Sequence, residues 1–486
     1  MVKQSQKEEA AASAGTTRPA VTLLVLCASA FMAGLDVFIV NVAFDDIGRD
    51  FPGSSLADLS WILNAYAIVY AALLVPLGGL ADRFGSKRAF LAGLGLFTAA
   101  SAACAASPGL WFLVAFRIAQ AAGAAALTPA SLGLLLAATP PDKRARAVRV
   151  WSTSGALSAA AGPALGGLLV ESAWQWVFLV NVPVGVLALA AGARRLPRIS
   201  RPASSGRVPD LFGGLLLAIT VGTLSLTLVK GPEWGWTSVN TCLGYLVTAA
   251  TAGVFRYRTA RHPVPLVAPS LFRTSTFTWS NVTGLLYNVA FGANILAMIL
   301  WMQQAWGYSS VRTGLAVAPG PLMVPVAAAL AQRVSRHASP RAISSAGSLL
   351  FALSAVLLVL DIGTQPHYAS TILPSLLISG AGVGLILPTV LASATVALPS
   401  TQASTGSAVV SMSLQIGNSI GVALLIAALT RHSSSHSSAT DFVHGWWIVT
   451  GAAVLASLTA WGMAPLTRAD DSRSAGASRR APHAGH

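Results

Sequence analysis

Runs of about twenty mostly apolar residues follow one another along nearly the whole chain, separated by short polar or charged segments. A helix rises 1.5 Å per residue, so about twenty residues cross the roughly 30 Å hydrocarbon layer of a membrane. In that layer every backbone amide must find its partner within the chain, which leaves helices or closed barrels. Runs of this length read as membrane-spanning helices. Fourteen spans are expected, near 21–44, 58–80, 88–106, 109–137, 147–170, 176–193, 211–229, 238–255, 277–299, 313–332, 342–360, 369–392, 404–429 and 443–463.

Composition agrees with that reading. Charged residues make up 10% of the chain and hydrophobic residues 54%. A soluble domain carries roughly 25% charged residues. A cytosolic enzyme, a disordered chain and a disulfide scaffold are therefore excluded. The first run resembles a signal peptide, with Lys3, Lys7 and Arg18 ahead of it and Ala28-Ser29-Ala30 within it. Its apolar character continues to Phe44, longer than a signal core, so it is expected to stay as the first helix.

The net charge is +15, which in a soluble protein would point to nucleic acid. Here its location decides otherwise. With the N-terminus inside and alternation from there, 26 of the 31 Lys and Arg residues fall in cytoplasmic segments. Only Arg49, Lys230, Arg312 and Arg431 fall outside, and Arg117 lies within a span. Basic loops stay cytoplasmic, where they face anionic lipid headgroups, so the charge reports topology and no nucleic-acid partner is expected.

Cys27, Cys104 and Cys242 lie in apolar runs without metal-ligand spacing and read as small core residues. The eight histidines are scattered through loops and tails, and no phosphate-binding loop occurs. No metal, no cofactor and no enzymatic centre is expected.

Ionisable groups inside spans are costly and are candidates for function. Asp36 in span one and Arg117 in span four each lie about eight residues, roughly 12 Å, below the outer surface. Opposite charges at equal depth can pair, either as a structural ion pair or as a site that exchanges protons when its surroundings alternate. Asp361 and Asp441 read as outer-surface positions and Glu233 as a loop residue. Among neutral polar residues in spans, Asn41, Asn64, Tyr66, Gln120, Asn281, Tyr287, Asn288 and Gln303 are candidates for a substrate path. Asn281 and Asn288 are seven apart and share a helix face. Small residues concentrate at Gly162, Pro163, Gly166 and Gly167, which fits close helix packing, a pliable rocking helix, or both.

Several segments resemble one family. Gly79-Leu80-Ala81-Asp82-Arg83-Phe84-Gly85-Ser86-Lys87-Arg88 resembles the signature that major facilitator proteins carry between helices two and three. Leu35-Asp36-Val37-Phe38-Ile39-Val40-Asn41-Val42-Ala43 is similar to the first-helix motif of the 14-helix drug:proton antiporters, with Phe38 where threonine is usual. Arg117-Ile118-Ala119-Gln120-Ala121-Ala122-Gly123 is similar to their fourth-helix motif, with Ala121 in place of glycine. The Gly162 to Gly167 segment resembles their helix-five antiporter motif, and Trp174 to Gly185 a further stretch of the subgroup.

The resemblance implies an all-α integral membrane protein of the major facilitator fold. Two six-helix bundles, 21–193 and 263–465, would flank a linker, 194–262, carrying two extra transmembrane helices. Cytoplasmic tails, 1–20 and 466–486, read as disordered. It implies proton coupling at Asp36 and Arg117 and a gate at Gly79, Asp82, Arg83, Gly85, Lys87 and Arg88. Physically, Asp82 could cap a helix and pair with basic neighbours in one conformation only. The implied function is export of drugs or antibiotics across the cytoplasmic membrane by a monomeric, multi-pass antiporter whose partners are protons, lipid and a small amphipathic substrate. An exporter of an endogenous metabolite and a non-transporting membrane sensor are the alternatives. With no acidic residue expected deep in the C-terminal half, neutral, monocationic or zwitterionic substrates fit better than dications.

Overall fold

The computed structural model describes residues 19–140, 143–197, 210–263, 265–335, 338–360, 367–396, 398, 403–430 and 439–463. Among the described residues the chain is helical throughout and contains no strand. Fourteen helices coincide with the fourteen apolar runs. They are α1 Pro19–Val42, α2 Trp61–Phe84, α3 Ser86–Ala105, α4 Leu110–Ala138, α5 Arg144–Val170, α6 Asn181–Arg195, α7 Leu211–Trp234 and α8 Val239–Arg261. Then follow α9 Ser275–Gln304, α10 Ser310–Val334, α11 Pro340–Leu360, α12 Leu373–Val396, α13 Ala403–Leu429 and α14 Ala439–Ala460.

Twelve of the described helices are long and apolar enough to cross a membrane. The two helices that fall short of the expected fourteen spans are α5 and α8. Helix α5 begins with Arg144, Arg146 and Arg149 and then runs through Ser, Thr and Gly. Helix α8 ends with Arg256, Arg258 and Arg261 and is rich in threonine. Both are helices of full length: α8 is made polar by its basic end and its threonines, whereas α5 runs over residues outside the described set and shows its apolar stretch from Leu157 to Val170.

Local chemistry sets the helix ends. Ser55 and Asp58 form a reciprocal capping box before α2. Asp210, Ser238 and Ser309 cap α7, α8 and α10 by accepting from backbone amides. Gly85, between α2 and α3, has φ = 97°, a conformation that a side chain disfavours. Helix α10 is interrupted at Ala318, ahead of Pro319. Glu233, expected in a loop, lies in the last turn of α7, where it accepts from Lys230 at 3.0 Å.

The helix pairings repeat. Helices α1·α5, α2·α4, α3·α4, α1·α6 and α3·α6 pack together in the first half. The pairs α9·α13, α10·α12, α11·α12, α9·α14 and α11·α14 pack in the same way in the second. Two seams join the halves, α2 with α13 and α5 with α10, and they too are related by the eight-helix offset. Helix α7 packs on both α2 and α13, and α8 packs on α7. Two ion pairs hold this hairpin. Lys230 meets Asp58 at 3.2 Å, and Arg258 meets the fully buried carboxylate of Asp210 at 2.8 Å.

Glycines bring the helices close. A Cβ on Gly162 would lie 2.6 Å from Phe38 Cβ, and one on Gly166 3.0 Å from the Ile39 carbonyl oxygen. Gly417 and Gly421 approach the carbonyls of Leu285 and Val289 in the same manner. The backbones of α1·α5 in one half and α9·α13 in the other therefore nearly touch, as do those of α3·α4 at Gly93 and Gly123 and of α11·α12 at Gly347 and Gly382.

Candidate functional site

Helix α1 carries Asp36 toward α4 and α6, where it is completely buried. Its carboxylate accepts from the Arg117 guanidinium, from Gln120 Nε2 at 2.7 Å and from Asn181 Nδ2 at 3.1 Å. Arg117 has three anchors. Its Nε donates to the Ile62 carbonyl at 3.2 Å, and Nη1 donates to Asp36 and to Gln120 Oε1, the latter at 2.7 Å. The guanidinium lies over the Tyr66 ring, 4.1 Å from its centroid. Gln120 also donates to Ser101 Oγ at 2.8 Å. An ion pair so deeply buried needs its remaining hydrogen-bonding sites met, and here Gln120, Asn181 and the Ile62 carbonyl bond to it, with Ser101 holding Gln120 in turn.

The expected meeting of Asp36 and Arg117 is thus present. Sequence reasoning left out Ser101 and did not include Asn181 in the site. Asn181 had a signal: it is the one amide in the apolar Trp176 to Pro183 stretch and falls near the depth of Asp36. Ser101 had none, because helix rotation decides which of many serines meets Gln120.

Next to this cluster the two halves enclose a cavity of about 350 Å³. Nine helices contribute to its wall, α1, α2, α4 and α5 from one half and α9 to α13 from the other. Arg117 is on the wall and Asp36 is behind it. Among the described residues of the wall, Arg117 is the one charged residue. Amides are frequent there, with Asn41, Asn288, Asn294, Gln415 and Asn418. Phe38, Phe291 and Phe351 form a continuous aromatic band, successive ring centroids being 6.4 Å apart.

Of the substrate-path candidates, Asn41, Tyr66 and Asn288 line the cavity. The others are engaged elsewhere. Asn64 accepts from Ser419 at the α2·α13 seam, and Gln120 belongs to the Asp36 cluster. Asn281 donates to Phe277 and accepts from Ser413, while Tyr287 packs edge-on against Phe351. Gln303 donates to the Val42 carbonyl at 3.1 Å and to Ser310 at 3.3 Å. Asn281 and Asn288 do share a face, since Asn288 Cβ also meets α13, but only Asn288 reaches the wall.

The seam residues behave as a unit. Ser310 donates to Asp46 at 2.5 Å, just beyond α1. A Cβ on Gly167 would lie 2.4 Å from the Ser310 carbonyl oxygen, and one on Gly314 2.0 Å from that of Pro163. The Gly162 to Gly167 segment thus faces α1 with Gly162 and Gly166 and faces α10 with Pro163 and Gly167.

The α2–α3 motif is only partly described. Gly79 lies in α2, and the side chains of Asp82 and Arg83 are outside the described residues. Gly85 occupies the N-cap of α3, and the cap expected from Asp82 falls outside the described residues. Lys87 donates to the Ala193 and Leu196 carbonyls at 2.9 and 2.6 Å, closing the end of α6. Arg88 is exposed. Asp441 is fully buried at the start of α14, not at the surface as expected, and Asp361 lies outside the described residues. Cys104 is buried as expected; Cys27 is half-buried and Cys242 exposed.

The Major Facilitator Superfamily model matches residues 26–422. The chain belongs to this superfamily. It is a multi-pass membrane transporter and not an enzyme. It is 32% identical to the Methylenomycin A resistance protein of Streptomyces coelicolor over 446 residues, 91% of each chain. It is 31% identical to the Multidrug resistance protein Stp of Mycobacterium tuberculosis, covering 85% of this chain and 76% of that one. The Tetracenomycin C resistance and export protein of Streptomyces glaucescens is 36% identical over 69% of this chain and 62% of its own. A solved POT family transporter in complex with a thioalcohol-conjugated peptide superposes with a TM-score of 0.67, over 90% of this chain and 94% of that one. At 16% identity that likeness shows the fold alone.

Proposed function

We propose that this protein is a proton-coupled antiporter that exports drug-like or antibiotic molecules across the cytoplasmic membrane by alternating access. The observation that carries this reading is the position of Arg117, which lines the cavity while pairing with buried Asp36. The resistance and export names of the relatives support the substrate class. The positive-inside distribution supports fourteen spans with both termini cytoplasmic, the two bundles at 21–193 and 263–465, and α7 and α8 as the extra pair.

In this reading the end of α1 near Val42 faces outward. The Asp46–Ser310 bond, the Gln303 bond to Val42 and the Gly167 contact with α10 close that side. Rocking of one bundle against the other opens it. When Asp36 takes up a proton, the charge that anchors Arg117 is cancelled. The guanidinium is then free to intrude on the cavity, and substrate leaves. Release of the proton on the cytoplasmic side restores the pair and the cavity. The second substrate reading, export of a metabolite made by the same cell, is supported by the relative named "Probable actinorhodin transporter".

Inverted vesicles test the reading. Accumulation of a lipophilic antibiotic inside them should require an acid-interior gradient and collapse on addition of a protonophore. Accumulation indifferent to the gradient rules out proton coupling.

A further inference from the structure

The wall chemistry of the cavity says which molecules it can hold. We infer that it selects an uncharged, ring-bearing molecule with oxygen donors and acceptors, rather than a lipophilic cation or an organic anion. This rests on the transport reading for its physiological meaning but concerns binding alone.

Three observations carry it. First, no carboxylate lines the wall among the described residues, so a cation entering there would lose water without gaining a counter-charge. Second, the wall's one described charge, Arg117, is already held by Asp36, Gln120 and the Ile62 carbonyl. An anion would have to break that buried pair to be recognised, leaving Asp36 uncompensated. Third, two wall residues hold buried polar atoms that have no hydrogen-bond partner. These are the Tyr66 hydroxyl and Asn294 Oδ1, on side chains only 3% and 6% exposed. One is a donor and the other an acceptor, and both are uncharged.

The aromatic band lies in the same cavity. Phe38 from α1, Phe291 from α9 and Phe351 from α11 bridge the two halves of the molecule. A flat ring system stacked on this band would touch both bundles. With a turn of each side chain that brings its buried polar atom to the wall, the ring's carbonyl oxygen would accept from Tyr66 and its hydroxyl would donate to Asn294.

The test uses one ring with three charges. Purified full-length protein is titrated with 2-hydroxymethylanthraquinone, its trimethylammonium-methyl analogue and anthraquinone-2-carboxylate, following tryptophan quenching. The uncharged probe should bind at least tenfold tighter than either charged one. Tyr66→Phe and Asn294→Leu should each weaken it about threefold to tenfold, and Phe38→Thr by a similar factor. Asn288→Asp, which puts a carboxylate on the wall, should raise affinity for the cationic probe. Equal or tighter binding of a charged probe in the wild type overturns the inference, as does absence of binding by the uncharged one. Unchanged affinity in both Tyr66→Phe and Asn294→Leu overturns the assigned contacts. Proton flux in proteoliposomes is recorded separately. Binding of the uncharged probe without flux contradicts the transport reading and leaves the selectivity standing.

Discussion

The Arg117 guanidinium faces the cavity, and the Asp36 carboxylate that it holds does not. In the proposed antiport cycle a substrate senses the protonation state of Asp36 through Arg117, without touching the carboxylate. Arg117 also stacks on Tyr66 and reaches the Ile62 carbonyl, so α1 and α2 hold it together with Gln120 of its own helix.

Arg117→Lys should abolish coupled transport while leaving the protein folded. A lysine keeps the charge but presents no planar fork to bond Asp36, Gln120 and Ile62 together. Arg117→Ala should instead destabilise the fold by about 3–5 kcal/mol, because it strands a buried carboxylate. Transport assays and thermal melts in detergent separate the two outcomes.

Gln120→Leu removes a donor to Asp36 and the bond to Ser101 at once. Leaving these buried groups short of partners should cost about 1–3 kcal/mol. Asn181→Leu removes one longer bond and should cost less. A lower melting temperature for Gln120→Leu than for Asn181→Leu is the expected order.

How much of this was legible beforehand follows from the physics of helices. Depth along a span can be counted at a fixed rise per residue, so the Asp36–Arg117 pair was readable from residue number. Rotation about each axis cannot be counted in the same way. Asn281 and Gln303 read as path-lining residues, yet their amides bond α13 and the α1–α10 seam. Asp441 reads as superficial from its place at a span end but is buried by tertiary packing. The seam role of Gly167 was equally hidden, since the sequence shows only that small residues cluster and not which neighbour approaches.

Gly167→Ala tests that seam. Its new methyl would meet the Ser310 backbone at 2.4 Å, so α5 and α10 must separate. Transport should fall severalfold and the melting temperature should drop. Gly451→Ala, where a Cβ meets nothing within 4 Å, should be neutral. Equal behaviour of the two variants would remove the seam from the account.

Arg258→Met leaves the Asp210 carboxylate, which is fully buried, without its ion pair. The cost should be a few kcal/mol, reduced because Arg258 is itself about one-third exposed. Its effect should be confined to the α7–α8 hairpin. Faster protease cleavage between α6 and α9, with transport largely retained, is the expected result.

The most direct measurement is proton movement in inverted vesicles carrying wild type or Asp36→Asn. An acid-interior gradient is imposed and a transported compound is added. Wild type should dissipate the gradient on addition, while Asp36→Asn should still bind the compound and leave the gradient intact. Gradient dissipation by Asp36→Asn at the wild-type rate would contradict proton coupling through the Asp36–Arg117 pair and make that pair a structural element only.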